Sequence, residues 1–131
     1  MTVGEPRTVA GKRNAAVQAK IPMAVRPGFH LQSNTPSEGF LIPLSLKWTS
    51  MGALEGGSVT YPKASMEKYE FADKPYSVFT GNFELVANFK VAAHAPAGPG
   101  AAVGELVYQA CSDRACYPRK TVKITVPYQI Q

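Results

Sequence analysis

The chemistry of this chain is concentrated in one short segment that contains its only two cysteines. Cys111 and Cys116 are separated by four residues, Ser112 to Ala115. A disulfide requires its two Cα atoms to lie within roughly 4.4–6.8 Å of each other, whereas five steps of about 3.3 Å along one extended strand would hold them roughly 16 Å apart. Because Ser112 and Asp113 favour turns, the spacing predicts a β-hairpin that brings the cysteines together.

A disulfide at this spacing would stabilise the fold only weakly. It closes a loop of about six residues, for which the chain-entropy relation gives roughly 2 kcal/mol, against about 4.7 kcal/mol for a loop of 100 residues. A short-range pair in a turn is typical of a reversible redox couple. From the residues alone, three interpretations remain open: a redox-active pair, a structural hairpin bridge and a metal site.

The residues that could bind a metal are few. The chain has two histidines, His30 and His94, and four methionines besides the cysteines. Copper sites in β-sandwiches use His, Cys and Met ligands, but no histidine follows the cysteines here. The two histidines also lack the close spacing of a zinc site. We therefore predict no metal and no other cofactor. The sequence motifs of serine hydrolases and of phosphate-binding loops are missing as well.

Length and charge exclude several further classes of protein. A chain of 131 residues is expected to form one domain that buries about two-thirds of its unfolded surface. No apolar run approaches the roughly 18 residues of a membrane-spanning helix. The N-terminus has no apolar core of a signal peptide, so an exported protein would have lost it. The net charge of +5 is scattered without a basic stripe, and we predict no binding of nucleic acid.

Alternation of apolar and polar residues is the main structural pattern. It predicts half-buried strands, and with the turn signals between them we expect roughly seven to nine short strands and no helix. The fold class predicted is therefore an all-β, antiparallel β-sandwich. Met1 to Asn14 is polar and aperiodic, which predicts a disordered tail before a folded domain over residues 15–131. The clearest alternation covers 17–25, 44–48, 83–91 and 122–126.

Three further predictions concern the orientation of Cys111, a glycine-rich segment and the position of Pro22. Leu106 and Tyr108 share one face of a strand, so Cys111 should lie on the other face and point outward, as suits a reactive thiol. Gly52 to Ser58 predicts a glycine-rich turn. Pro22 cannot donate a hydrogen bond to a neighbouring strand, which predicts an edge strand or a bulge there.

The cysteine segment also resembles a known family. Its runs Tyr-Gln-Ala-Cys and Cys-Tyr-Pro, within Tyr108 to Pro118, are similar to the active-site segment of the N-terminal periplasmic domain of the thiol:disulfide interchange protein DsbD. Further matching motifs occur in the same order upstream, and the resemblance covers about residues 15 to 128. These motifs are Gly28 to Asn34, Tyr61-Pro62, Tyr69 to Phe71 and Val78 to Gly81.

The resemblance implies an immunoglobulin-like fold and a redox function in the periplasm or another extracytoplasmic compartment. It implies a thiol:disulfide oxidoreductase that accepts electrons from a thioredoxin-like domain, itself reduced through a membrane-embedded conductor. The electrons pass to oxidised extracytoplasmic proteins, such as disulfide isomerases or factors of cytochrome c biogenesis. It also implies Cys116 as nucleophile and Cys111 as its resolving partner. The alternative is a non-catalytic immunoglobulin-like interaction module with a structural hairpin disulfide.

The resemblance further implies a cap over the disulfide, formed by the loop from Pro62 to Pro75. Phe71 matches the family's covering aromatic, with Glu70 and Tyr69 beside it; the family continues with an aromatic and a glycine, where this chain has Ala72 and Asp73. A carboxylate on the cap would disfavour a nearby thiolate. Relatives have aromatic residues on the early strand, where this chain has His30 and Gln32. The remaining residues expected to frame the pair are Tyr108, Gln109, Tyr117 and Pro118.

Overall fold

The computed structural model describes all 131 residues, from Met1 to Gln131, as strands and connecting loops without a helix. No helix that could cross a membrane is therefore present. The twelve strands are β1 (Thr2–Val3), β2 (Val9–Gly11), β3 (Ala16–Ala24), β4 (Phe29–Gln32), β5 (Ser45–Ser50), β6 (Leu54–Thr60), β7 (Ser65–Glu67), β8 (Tyr76–Phe79), β9 (Asn82–Val91), β10 (Gly98–Tyr108), β11 (Ala110–Ser112) and β12 (Lys120–Ile130).

The strands form three sheets of four strands each. Two larger sheets have the orders β1-β3-β9-β6 and β2-β12-β10-β5, and a smaller sheet has the order β11-β4-β8-β7. Alternate residues of β3, β9, β10 and β12 belong to one cluster of 23 buried residues. Because both larger sheets contribute to this cluster, they pack face to face around a shared core. The predicted all-β sandwich is confirmed, and all pairs are antiparallel except β2 with β12.

The N-terminal segment differs from the expected disordered tail. Thr2 and Val3 pair with the end of β3, and Val9 to Gly11 run parallel to the end of β12. Val9 is buried in the core. These two strands are too short to show a period in the sequence. They are held by pairing with long strands, which a local pattern does not reveal.

The glycine-rich segment after β5 also differs from its prediction as one turn. Only Met51 to Ala53 form the turn, and β6 begins at Leu54. Gly56 and Gly57 both have φ of 87°, and the register against β9 shifts between Gly56 and Ser58. The glycines thus form a β-bulge inside a strand, because only glycine adopts this conformation without strain. Pro22 lies on β3, which is second in its sheet rather than at the edge. The edge strand β1 covers only the end of β3: Met23 and Ala24 pair with it, and the Pro22 carbonyl accepts the Gly4 amide at 2.8 Å.

Candidate active site

The two cysteines close a tight hairpin at one end of the small sheet. Cys111 and Cys116 form an antiparallel bridge and a disulfide, with their Cα atoms 4.0 Å apart. The turn between them is held by Ser112, whose hydroxyl accepts the amides of Arg114 at 3.2 Å and Ala115 at 3.3 Å. The hairpin disulfide predicted from the cysteine spacing is therefore present.

The two cysteines differ in exposure, and the prediction for Cys111 was wrong. Cys111 is completely buried, whereas Cys116 is partly exposed. The expectation of an outward Cys111 assumed one continuous strand. In the structure β10 ends at Tyr108 and Cys111 lies on β11, which pairs with β4 in another sheet. The break at Gln109 resets which face points inward, so Cys116 is the more exposed residue of the disulfide.

Gln32 contacts the disulfide directly. Its side-chain Nε2 donates to Cys111 Sγ at 3.3 Å and lies 3.9 Å from Cys116 Sγ. Gln32 is the last residue of β4 and is completely buried. Its backbone N–H donates to the Gln109 carbonyl at 3.1 Å, which anchors the strand end beside the cysteines. An amide N–H aimed at a sulfur can stabilise negative charge that develops there.

His30 lies opposite Cys111 in the strand register. Its ring stacks on Tyr69 from the cap, with centroids 4.0 Å apart and planes within 8°. It is buried, and burial lowers the pKa of His30 from 6.5 to about 4. The imidazole is therefore neutral at pH 7. His30 Nε2 and Gln32 Oε1 are both buried without a hydrogen-bond partner, so two unpaired polar atoms lie on neighbouring positions of one strand face.

The cap packs on a small apolar cluster that is separate from the main core. Its buried members are Leu41, Ala72, Tyr76 and Val78, and both Tyr69 and Cys116 pack against them. The accessible cysteine is thus in contact with the cluster that supports the cap. Burial, with a further contribution from the Glu67 carboxylate, raises the pKa of the Tyr69 hydroxyl. Tyr69 therefore remains neutral at physiological pH.

The other two residues predicted for the cap, Phe71 and Glu70, are more exposed than Tyr69. Phe71 stacks on Tyr69 with centroids 5.9 Å apart and meets Tyr76 edge-on at 5.7 Å. Phe71 remains 38% exposed, and Glu70 is exposed. Phe71 is therefore linked to the cysteines through Tyr76, whose cluster packs against Cys116. The loop is fastened by Lys68, whose Nζ donates to the carbonyls of Tyr69 and Ala72, and by a Lys74–Glu38 ion pair of 3.4 Å.

Of the four other residues expected near the cysteines, Gln109 bridges the site, and Tyr108, Tyr117 and Pro118 line a cavity beside the hairpin. Gln109 bridges the site, since its Oε1 accepts the Ile42 amide at 3.0 Å and its Nε2 donates to the Tyr117 carbonyl at 3.2 Å. Tyr108 belongs to the main core. Tyr117 and Pro118 line a surface cavity beside the hairpin. The structure thus brings all four to the cysteine hairpin or its flanks.

The buried residues that support this site were not predicted from the sequence. Ser33 and Ser77 are buried and share a hydrogen bond of 2.7 Å between their hydroxyls. Leu41 and Val78 form the base of the cap cluster. All four residues of β8 are buried, so this strand has no alternation to reveal it. The run Tyr-Ser-Val-Phe after Pro75 was the available signal for a fully buried strand.

No group of three or more His, Cys, Asp or Glu side chains is placed to hold a metal ion. His94 lies exposed in the loop between β9 and β10.

Comparison with known proteins identifies the family to which the chain belongs. The profile of the family described as thiol:disulfide interchange protein DsbD, N-terminal, matches residues 5–127. The chain belongs to this DsbD N-terminal domain family. The match includes both cysteines, the cap loop, His30 and Gln32. A DsbD N-terminal domain with a cysteine pair that forms a disulfide is suited to thiol–disulfide exchange.

Two solved structures share the fold. The N-terminal periplasmic domain of ScsB from Proteus mirabilis aligns with a TM-score of 0.67 and 15% identity, covering 91% of this chain and 43% of that one. This chain therefore spans less than half of the ScsB structure. The N-terminal domain of DsbD from Neisseria meningitidis, in its reduced form, aligns with a TM-score of 0.51 and 19% identity, covering 90% and 84%. The immunoglobulin-like fold that was expected is confirmed. No curated protein sequence matches the chain.

Proposed function

We propose that this domain is an extracytoplasmic thiol:disulfide oxidoreductase. It takes electrons from a thioredoxin-like domain and delivers them to oxidised proteins of the periplasm. The observation that carries the proposal is the pairing of a completely buried cysteine, Cys111, with a partly exposed cysteine, Cys116. Family membership supports the redox role, and the periplasmic origin of the ScsB domain supports the compartment.

Reduction of the domain begins at the accessible sulfur. The partner's thiolate attacks Cys116 Sγ, the Cys111–Cys116 bond breaks, and Cys111 leaves as a thiolate. The Gln32 amide, which already donates to Cys111 Sγ, stabilises this leaving group. The partner's second thiolate then attacks the sulfur of the partner's first cysteine in the mixed disulfide and releases Cys116 as a thiolate. The domain gains two electrons and two protons, and the partner becomes a disulfide.

Delivery reverses these roles. The Cys116 thiolate attacks a disulfide of the target protein and displaces one target thiolate. Cys111 then attacks Cys116 Sγ, which restores the internal disulfide and releases the second target thiol. The two electrons reduce the target disulfide to a dithiol. Cys116 is the nucleophile in this scheme, and Cys111 is the resolving cysteine.

Exposed apolar side chains support a protein as the partner. Phe40, Met66, Phe71 and Tyr117 are the four large apolar side chains that the fold leaves exposed. Tyr117 follows the nucleophile, Phe71 and Met66 lie on the cap and its strand, and Phe40 precedes Leu41 of the cap cluster. Exposed apolar groups next to a reactive cysteine and on the loop that packs beside it are typical of an interaction surface.

Replacing Gln32 is expected to slow the reduction of the disulfide. The Gln32→Leu variant keeps the side-chain volume but removes the N–H that stabilises the leaving thiolate. Because a hydrogen bond to a charged group contributes about 1.5–3 kcal/mol, reduction by dithiothreitol should slow by about 10-fold or more. The rate is measured by trapping free thiols at timed intervals. Gln18→Leu, at an exposed glutamine on β3, is the control; equal rates for the wild type and Gln32→Leu would exclude this role.

Loosening the cap is expected to have the opposite effect. Phe71 contacts two aromatic rings, and such pairs contribute about 0.5–1.5 kcal/mol each beyond burial. If the cap shields Cys116, Phe71→Ala should speed reduction by dithiothreitol by roughly 10-fold. This corresponds to a loss of about 1.4 kcal/mol in the free energy that favours the closed cap. Gln18→Ala removes an exposed side chain of β3, away from the cap, and should leave the rate unchanged. A rate for Phe71→Ala at or below that of the wild type would show that the loop does not act as a lid.

The function itself is tested by electron transfer from a thioredoxin-fold protein. Oxidised domain is mixed with reduced thioredoxin, and free thiols are counted by alkylation and mass spectrometry. We expect two thiols to appear in the domain within seconds to minutes as thioredoxin is oxidised. The reduced domain should then convert glutathione disulfide to two glutathione molecules. A disulfide that stays intact for hours with excess thioredoxin would favour the structural alternative.

A further inference from the structure

A cavity beside the cysteine hairpin is not used by the exchange chemistry described above. It has a volume of about 250 Å³, and seven of its ten lining residues are hydrophobic. The walls include Phe29 and Leu31 of β4 and Tyr117 of the hairpin; the Phe29 and Tyr117 rings lie 6.2 Å apart. This volume is below the roughly 300–1,000 Å³ of typical small-molecule pockets. The cavity is therefore sized for one or two side chains rather than for a cofactor.

The cavity adjoins both cysteines through the backbone. Tyr117 directly follows Cys116, and Ala110 directly precedes Cys111; both residues line the cavity. The Tyr117 amide donates to the Ala110 carbonyl at 2.9 Å, which fixes the two walls relative to each other. One residue of extended chain spans at most about 3.6 Å. When a partner segment is joined to Cys116 by a mixed disulfide, a residue within about two positions of the partner's own cysteine would therefore lie over this cavity.

The polar part of the cavity is uniformly basic. Arg26 and Lys120 line it, both are exposed, and no acidic residue does so. The single ion pair of the protein joins Lys74 to Glu38, so neither Arg26 nor Lys120 forms an ion pair within the chain. An apolar floor with an unpaired basic rim complements a segment that combines an apolar side chain with a carboxylate.

We propose that this cavity is a docking site for the redox partner and selects a segment with an apolar residue and an acidic residue close to the reacting cysteine. The inference rests on the proposed function, because the segment is positioned by its approach to Cys116. The apolar side chain enters between Phe29 and Tyr117, and the carboxylate pairs with Arg26 or Lys120. Docking orients the partner's sulfur toward Cys116 and so raises the rate of mixed-disulfide formation.

The test uses synthetic peptide thiols of defined sequence. Three acetylated, amidated pentapeptides, each symmetric about its cysteine, are reacted with the oxidised domain: Asp-Leu-Cys-Leu-Asp, Lys-Leu-Cys-Leu-Lys and Asp-Gly-Cys-Gly-Asp. Each rate is divided by that peptide's rate with hydroxyethyl disulfide, a small uncharged disulfide, which corrects for its intrinsic thiol reactivity. We expect the acidic leucine peptide to react about 5-fold faster than the basic peptide, the size of effect that an exposed ion pair gives. It should also react about 5-fold faster than the glycine peptide, because partial burial of a leucine side chain has an effect of similar size.

Charge-reversal variants separate local docking from general attraction to a basic protein. Arg26→Glu/Lys120→Glu should lose the preference for the acidic leucine peptide over the basic one. The control Lys90→Glu/Lys123→Glu carries the same change of net charge at exposed lysines outside the cavity and should retain it. Equal rates for the three peptides with the wild type, or equal loss in both double variants, would overturn the inference.

A third measurement distinguishes failure of docking from failure of the proposed function. The wild-type disulfide is treated with dithiothreitol, which is too small to require docking. Reduction by dithiothreitol without any peptide preference would overturn the docking site and leave the redox function intact. A disulfide that resists dithiothreitol as well would overturn the proposed function and the docking site together.

Discussion

Replacing Cys116 with alanine is expected to abolish thiol–disulfide exchange, whereas replacing Cys111 with alanine is expected to stop the exchange at the mixed disulfide. In Cys111→Ala the accessible Cys116 thiolate attacks glutathione disulfide, and no second thiol is present to resolve the mixed disulfide. A stable glutathione adduct should therefore accumulate. In Cys116→Ala the remaining thiol is completely buried, and we expect its adduct to form at least about 100-fold more slowly, a barrier difference of about 2.7 kcal/mol. Intact-protein mass spectrometry over time measures both.

The same pair of variants contains its own control. In concentrated urea the two single cysteines are equally exposed, so both variants should form the adduct at similar rates. Equal rates in urea together with unequal rates in the folded state assign the difference to the fold. Faster adduct formation by Cys116→Ala than by Cys111→Ala in the folded state would reverse the assignment of nucleophile and resolving cysteine.

Acidification is expected to destabilise the domain through His30. Its pKa is lowered from 6.5 to about 4 by burial. Between these two values the unfolded chain binds a proton that the folded chain does not, so the free energy of unfolding falls as the pH falls. This stability is fully present above pH 6.5, and about 3 kcal/mol of it is lost near pH 4, since each unit of pKa shift is worth about 1.36 kcal/mol. Glu67, Asp113 and Arg26 line the groove beside this ring, but desolvation dominates.

Urea unfolding of the oxidised protein at pH 7 and pH 4 measures this contribution. His30→Phe keeps a ring for the stack on Tyr69 and removes the titrating group, so its loss of stability on acidification should be about 3 kcal/mol smaller than that of the wild type. His94→Gln replaces the exposed histidine and should behave as the wild type. Identical pH dependence in His30→Phe and the wild type would show that the buried imidazole is not the group responsible.

Strands with a clear alternation were predictable from the sequence because each has one face in the core. The stretch from Phe83 to Val91 lies within β9, and Val17 to Val25 largely coincides with β3. Alternation carries information only within one strand. It failed at Gln109, where the chain leaves one sheet and enters another, and this break is why Cys111 is buried. It also failed at Gly56 and Gly57, where a bulge continues the strand that glycine was expected to end.

The candidate site was predictable in part for a similar reason. The cysteine hairpin follows from local geometry, and His30 and Gln32 were expected near the site from family resemblance. The amide of Gln32 on the sulfur and the stack of His30 on Tyr69 depend on strands β4 and β11 and the cap meeting in space. Contacts between residues far apart in the chain, such as Gln32 with Cys111, leave no spacing pattern in a single sequence. The basic cavity at Arg26 and Lys120 arises in the same way.

The central claim, that Cys111 and Cys116 form a working redox couple, is tested most directly by their reduction potential. The protein is equilibrated in buffers with graded ratios of thiol to disulfide, and free thiols are alkylated and counted by mass spectrometry. We predict a midpoint within about −180 to −270 mV, where the thioredoxin-fold oxidoreductases that would exchange electrons with it lie. A midpoint below about −300 mV, typical of structural disulfides, would contradict the redox account and leave a β-sandwich whose hairpin disulfide serves only its structure.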